Sequence, residues 1–267
     1  MGFHLQQRDG VSFLTSDVLA AVPGIVHAFS ARATAPGSEA ARPLDLGLRP
    51  SDGPDAPPRA NWARFLGAVG GELDGVHYVV QKHGIVVHSA GSATAGGALC
   101  TGEGDALWSD MPGAGLAIQT ADCVTVLFAA ADGRAVAAAH AGWRGLVGGV
   151  VEATLDALQR HCGVAPSELA VASGPHIHSC CFEVQEDVAG PFRKRFGSEV
   201  VLRGEDGRLT IALDRALGSL LAARGVRTFD LCPECTCCQP NLFFSYRRDR
   251  GPGRLAGLIG RRGASVR

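Results

Sequence analysis

In the stretch QTADCVTVLFAAADGRAVAAAHAGWRG, Gln119 to Gly145, Cys123 follows Asp122 at one end and His140 sits among small residues near the other. A thiolate and an imidazole can share a metal ion or act as nucleophile and base, so their separation in space decides what chemistry is open to them. The residues between them predict a hairpin. Val124 to Phe128 is β-branched and aromatic, Ala135 to Ala139 is small and apolar, and Asp132-Gly133 fits a two-residue type I′ turn with positive φ at both positions. With Ala131 facing Arg134, Thr125 falls opposite His140. Cys123 then shares a face with Thr125 and lies diagonally from His140 at about 7–8 Å between backbones, near enough for two side chains to converge on one ion. A buried cysteine and a hydrogen-bonded core histidine have the same local sequence, and a third ligand would separate the two readings.

The chain of 267 residues can bury a full core, as one large domain or two small ones. Its formal charge of −1 and pI near 6.7 argue against a nucleic-acid surface or an acidic tail. No apolar run reaches the roughly 18–20 residues of a membrane-spanning helix, and MGFHLQQRDG lacks a charged-then-apolar signal segment, so a cytoplasmic location without membrane contact is expected. The nine cysteines are odd in number and crowded at Cys180-Cys181, Cys235 and Cys237-Cys238. That pattern suits free thiols or metal ligands in a reducing compartment better than a disulfide framework.

The remaining elements must place these groups. Strands are expected at Val11 to Leu14, Ile25 to Phe29, Val76 to Val80, Ile85 to Val87, Gly115 to Thr120, Leu169 to Ala172, Phe229 to Leu231 and Leu255 to Ile259, with short ones near Val200 and Leu209. Helices are expected from Pro57-Pro58 to the glycines at 67, 70 and 71, from Trp143 for about five turns to His161, from Gln185 to Phe196 and from Leu213 to Arg224. Ala33 to Pro58 reads as a long loop pinned by the alternating Leu44, Leu46 and Leu48, and Ala90 to Gly104 reads as another. His83 lies in the turn Gln81-Lys82-His83-Gly84, where a solvated histidine and a ligand look alike. The strands do not alternate with helices as βαβ units, which favours an α+β class, and no linker or internal repeat divides the chain.

Taken in order, HAFSAR with LDLGL, QKHG, DALWSD, QTADC, AHAGWRG, GPHIHSCCFEV and SYRRDRGPGR resemble the signatures of the laccase-domain family, the YfiH-like purine nucleoside phosphorylases long called multicopper polyphenol oxidases. The likeness covers almost the whole chain. It implies one domain over residues 1–267 with a four-layer α/β/β/α sandwich, and a metal site, usually zinc, whose ligands fall on His83, Cys123 and His140. Three protein ligands of this softness suit zinc and leave a fourth position for water or substrate. The resemblance further implies phosphorolysis of adenosine, inosine, guanosine or methylthioadenosine, with deamination of adenosine in some members. In that reading Asp122 is a proton carrier, and Ser30, Arg32, Gln81, Arg144 and Arg247 or Arg248 are the candidates to hold phosphate and substrate. The chain departs from the family's common HGFSTR at Ala28 and Ala31, and from LNLGL at Asp45, where a carboxylate would repel a phosphate. His176 and His178 stand where the common GPAIGPCCYEV has no histidine, so the likeness gives them no ligand role.

Three other readings compete. A copper-binding polyphenol oxidase needs several His-x-His pairs and a cysteine flanked by histidines; the chain has one such pair, His176 and His178, and one His-Cys, His161 and Cys162. A metal-free cysteine hydrolase would use Cys123 as nucleophile and His140 or His83 as base, oriented by Asp122. A zinc-stabilised binding or redox protein would use CPECTCC, but Cys232, Cys235, Cys237 and Cys238 are too closely spaced for an ordinary four-cysteine site, which wants two pairs far apart in sequence. The sequence leaves the preferred base, the physiological metal and the oligomeric state open.

Overall fold

The computed structural model describes residues 2–34, 43–53, 55–70, 73–92 and 97–263. Two mixed sheets lie face to face. The first runs β1 (Phe3–Arg8), β2 (Val11–Ser16), β3 (Ile25–Thr34), β16 (Leu255–Arg261), β8 (Ala114–Thr120), β4 (Gly75–Val80), β6 (Gly97–Glu103). The second runs β15 (Thr228–Leu231), β11 (Leu169–Ser173), β9 (Val124–Ala130), β10 (Val136–Ala141), β7 (Ala106–Ser109), β5 (Val87–Ser89). A small sheet of β12 (Glu183–Val184), β14 (Leu209–Ile211) and β13 (Val201–Arg203) stands apart.

Three apolar layers explain the stacking. Between the sheets lie Phe29, Leu116, Ile118, Leu127 and Ala129. Leu44, Leu46, Phe65, Tyr78 and Leu258 fill the outer face of the first sheet beneath α2 (Pro57–Val69). Val126, Phe128, Leu155, Phe192 and Leu217 fill the outer face of the second beneath α3 (Trp143–Gly148), α4 (Val150–Cys162), α5 (Glu186–Phe196) and α6 (Leu213–Ala223). Alternate residues of β9 therefore face opposite cores, which is why it is buried throughout and apolar but for Thr125. Short α1 (Asp17–Ala20) touches both sheets, and α7 (Tyr246–Asp249) precedes β16. This is the α+β sandwich of four layers, and no described helix is long and apolar enough to cross a membrane.

The β9–β10 register sets His140 opposite Thr125, as the turn counting requires. The turn itself differs. Among the described residues Asp132 is not at positive φ and Gly133 is, at 74°, with the Gly133 N–H donating to Ala130 O at 2.8 Å. Asp132 instead caps the turn by accepting the Arg134 N–H, so the register survives without a type I′ pair.

Other expectations are corrected. The helix begun at Trp143 breaks into α3 and α4 because Gly149 adopts φ 102°. Gly145 and Gly148 do permit close approach, since a methyl at 145 would sit 3.1 Å from Gly84 O and one at 148 would sit 3.1 Å from Ile85 Cγ2. The loop expected over 90–104 contains β6; DALWSD itself supplies β7; β1 was not anticipated, being a half-exposed edge strand with little apolar alternation. The strand expected from Ile85 begins at Val87, because Val86 O accepts the N–H groups of Asp105 and Ala106. Of the long loop, residues 35–42 and 54 lie outside the described set, as do 93–96 of the second loop and Gly71, while Leu44, Leu46 and Leu48 are buried as their alternation implies.

Candidate metal centre

Two chain crossings between the sheets meet at one end of the sandwich. The link from β4 to β5 carries His83, the link from β8 to β9 carries Cys123, and His140 lies near the end of β10. The ligand-type atoms of His83, Cys123 and His140 all lie within 4.8 Å of one another. Cys123 Sγ is 4.0 Å from His83 Nε2, and the two imidazole rings meet edge to face at 4.8 Å. His140 is buried, Cys123 half-buried and His83 exposed, so the cluster opens toward solvent on one side.

Asp105 holds the arrangement together. It is fully buried; its Oδ1 accepts the His83 N–H at 2.8 Å and lies 2.8 Å from His140 Nδ1, while its Oδ2 accepts the N–H groups of Gly84 at 2.7 Å and Lys82 at 3.2 Å. One carboxylate thus fixes both histidines. With Nδ1–H committed to Asp105, His140 presents Nε2 toward Cys123, the arrangement in which a carboxylate sets the tautomer of a ligand. Burial works against ionisation of Asp105, but the hydrogen bonds from His140 and the backbone of Gly84 and Lys82 hold its carboxyl below the ordinary range.

The same geometry charges the thiol. Burial pushes Cys123 up, yet the charge and hydrogen bond of His140, with those of His83, outweigh it and bring the thiol to about 6. Burial pushes His140 down, but Cys123 and Asp105 raise it to about 9. Both shifts favour a thiolate on Cys123 beside a protonated His140.

Backbone strain clusters here too. Four described residues other than glycine have positive φ, and two are His83 (60°) and Asp122 (101°). Gly142 leaves the donors their space, since a methyl there would lie 2.9 Å from His83 Cδ2, 3.2 Å from Cys123 Sγ and 3.4 Å from His140 Cε1.

Asp122 does not reach the reacting side. Its carboxylate accepts the Thr236 hydroxyl and the Arg247 N–H, each at 2.6 Å, and it is buried. It holds the backbone before Cys123 and is not placed as a proton carrier.

A cleft of about 510 Å³ opens over the cluster, lined among others by Arg49, Gln81, Gln119, Tyr246 and Arg254. Another of about 550 Å³ lies between α2 and β6, but no lining residue there is a histidine or cysteine, so size alone does not mark the site. Gln81 is in the wall with its amide committed, Nε2 donating to Gln119 O and Oε1 accepting the Gln119 N–H.

The other expected substrate binders are not brought to the cleft. Ser30 is buried and its Oγ accepts the Ala256 N–H. Arg32 lies over Phe244 and 3.7 Å from Asp249, and Arg144 stacks on Trp143. Arg248 binds Asp249 and the carbonyls of Thr236, Cys237 and Phe243, and Arg247 donates to the carbonyls of Cys181 and Glu183. The cationic residues at the cleft are instead Arg49 and Arg254, the latter with Nη1 donating to the carbonyls of Gly251, Pro252 and Gly253. Asp45 is engaged by its own loop and the segment before β16: its Oδ1 accepts the N–H groups of Gly47 and Arg254, which an asparagine oxygen would do equally well.

The chain belongs to the multi-copper polyphenol oxidoreductase laccase family, whose model matches residues 26–262. A purine nucleoside phosphorylase of Deinococcus radiodurans is 40% identical over 240 residues, 88% of this chain and 89% of its own. YlmD from Geobacillus stearothermophilus has a similar structure, with a TM-score of 0.80 and 28% identity over 97% of this chain and 98% of its own. A Neisseria meningitidis protein gives 0.74 and 31% over 98% and 100%.

Proposed function

We propose that the chain is a purine nucleoside phosphorylase that cleaves adenosine, inosine, guanosine or methylthioadenosine with inorganic phosphate, using zinc held by His83, Cys123 and His140. The observation that carries this reading is the convergence of one thiol and two imidazoles on the floor of a cleft of nucleoside size, in a chain 40% identical to a protein bearing that name.

The donors fit the ion. One thiolate and two imidazoles are borderline-soft, and bonds of about 2.3 Å to sulfur and 2.0–2.1 Å to nitrogen set donors roughly 3.3–3.6 Å apart in a tetrahedron. The 4.0 Å between Cys123 Sγ and His83 Nε2 needs a small closure to reach that. Zinc held by these three residues would supply a Lewis acid.

The chain's own residues do the rest. Arg254 and Arg49 place positive charge at the cleft, suited to a phosphate beside a sugar that becomes oxocarbenium-like as its bond to the base breaks. Tyr246, half exposed at the rim, offers a ring face on which a purine can lie. Gln81 and Gln119 stiffen the wall between them.

Deamination of adenosine is the second activity we assign to the same donor set, read as inosine formed from adenosine without phosphate. Nine free cysteines support a cytoplasmic location, where thiols stay reduced.

A metal-free cysteine hydrolase has one observation in its favour, the closeness of the Cys123 thiol to His140, with Asp105 rather than Asp122 as the orienting acid and shifts that favour a thiolate. It leaves the approach of His83 to the same thiol without a purpose. Oxidation of polyphenols by several coupled coppers is not favoured, because this cleft offers three donors for a single ion.

The deciding experiment measures hypoxanthine and ribose 1-phosphate from inosine, with and without phosphate, in wild type and Cys123→Ala. Phosphate-dependent product in the wild type alone is expected. Full activity in Cys123→Ala would remove the site from the reaction, and product formed equally without phosphate would select the hydrolase.

A further inference from the structure

On another part of the molecule four cysteines from two distant segments converge. Cys180 and Cys181 end the segment GPHIHSCC, and Cys235 and Cys238 belong to CPECTCC. Cys238 Sγ lies 3.5 Å from Cys180 Sγ and 3.4 Å from Cys181 Sγ, and the four sulfurs are all within 4.8 Å of one another. Backbone pairing aligns the segments: His176 N–H donates to Glu234 O at 3.3 Å and Thr236 N–H to His176 O at 3.0 Å. Cys232 takes no part, being buried with its N–H on Ser173 Oγ. The two-plus-two arrangement that CPECTCC cannot make alone is therefore completed from a segment 57 residues away.

Four sulfurs this close would repel one another as thiolates and cannot all ionise unaided. Cys235 Sγ is further fixed by accepting the His178 N–H at 3.5 Å. A divalent cation is what lets four adjacent sulfurs lose their protons together. With metal–sulfur bonds of about 2.3 Å a tetrahedral ion holds sulfurs roughly 3.8 Å apart, inside the span seen here. Cys180 and Cys181 also line a surface cavity of about 530 Å³, which gives an ion a way in.

We propose that Cys180, Cys181, Cys235 and Cys238 bind one thiophilic divalent cation, zinc, in a closed four-sulfur site separate from the cleft. Four protein ligands leave no open position, so the ion is a clasp. The segments it joins are those that hold Asp122: Ile177 N–H donates to Asp122 O at 2.9 Å and Thr236 Oγ1 to its carboxylate at 2.6 Å. Closing the clasp thereby steadies the residue before Cys123. The site does not depend on the reaction proposed for the cleft.

The test uses the full chain carrying Cys123→Ala, so that the cleft contributes no thiolate, purified with zinc and a phosphine reductant. About one equivalent of zinc is expected by elemental mass spectrometry after desalting. It should be lost on adding Cys180→Ser and Cys238→Ser. X-ray absorption of the Cys123→Ala protein, which leaves the four cysteines intact, should show a shell of four sulfurs at about 2.3 Å. A zinc-free Cys123→Ala protein, a shell of nitrogen or oxygen, or a Cys180–Cys238 or Cys181–Cys238 disulfide that persists under these conditions would overturn the proposal.

Discussion

The two sulfur centres are built on opposite plans. At the cleft, three donors come from two sheet crossings and a strand, and the buried Asp105 fixes both imidazoles whether or not an ion is present. At the second centre, four sulfurs sit on two irregular segments, and their hydrogen bonds among the described residues run to one another and to the backbone. The first is organised by its own hydrogen bonds and offers three donors; the second offers four, which would leave a bound ion no open position. The contrast teaches that a protein can use similar donors for reactivity or for support, and that what surrounds the donors decides which.

The largest effect separating the two is expected from Cys123→Ala. Phosphorolysis should fall about a thousandfold, since Lewis-acid polarisation is worth several kcal/mol, while the thermal midpoint stays close to the wild type. A midpoint that drops sharply would mean that the cleft also serves as a clasp. Asp105→Asn should weaken both zinc affinity and activity by roughly 10–100-fold, read by competition with a chromophoric chelator. If affinity is unchanged, the cleft is not organised through this carboxylate.

Gly142→Ala sets a methyl against all three donors and should lower zinc affinity at the cleft by about tenfold, at a folding cost of roughly 1–3 kcal/mol for local overpacking. Zinc at the four-sulfur centre should be unaffected, which an equivalent loss at both centres would contradict.

The smallest effect lies outside both centres. His27 is buried and its Nε2 accepts the Ser16 N–H; burial holds it at about 4. It is neutral when folded and takes a proton more readily when unfolded. Its contribution is therefore complete above about pH 6.5 and is lost as pH falls toward 4. Between pH 6 and 4.5 the zinc-free protein should lose about 1–2 kcal/mol through this residue, and His27→Gln should flatten the slope of urea-unfolding free energy against pH. An unchanged slope would assign the loss to other groups, His176 first among them, which burial also holds at about 4.

How far the sequence reveals these features depends on the range of the interaction. The β9–β10 register was readable because a period of two and a short polar turn are local, and the pairing of Thr125 with His140 follows from counting. The break at Gly149 was not, since a glycine in a helical stretch tolerates either outcome. Strand β6, GALCTGE, is opened by a glycine and broken by another and resembles a loop until it pairs in parallel with β4. Asp105 reads as a turn residue ahead of an apolar strand, and its role exists once 82–84 and His140 fold around it. The arginines named for phosphate are absorbed by carbonyls, acids and rings that no local pattern announces. The second centre was hidden for the same reason, because half its sulfurs lie far from the crowded motif.

Strand β16 lies between β3 and β8 and bonds to both along most of its length. During synthesis this slot in the middle of the sheet stands empty until residue 261 has been made, leaving the two flanking strands with unpaired inner edges. Arg254, in the segment leading into β16, reaches the cleft on the same late arrival. A growing chain therefore has no finished cleft to work with, and the interval before β16 inserts is when it is most exposed to sticking to its neighbours or to capture by a chaperone.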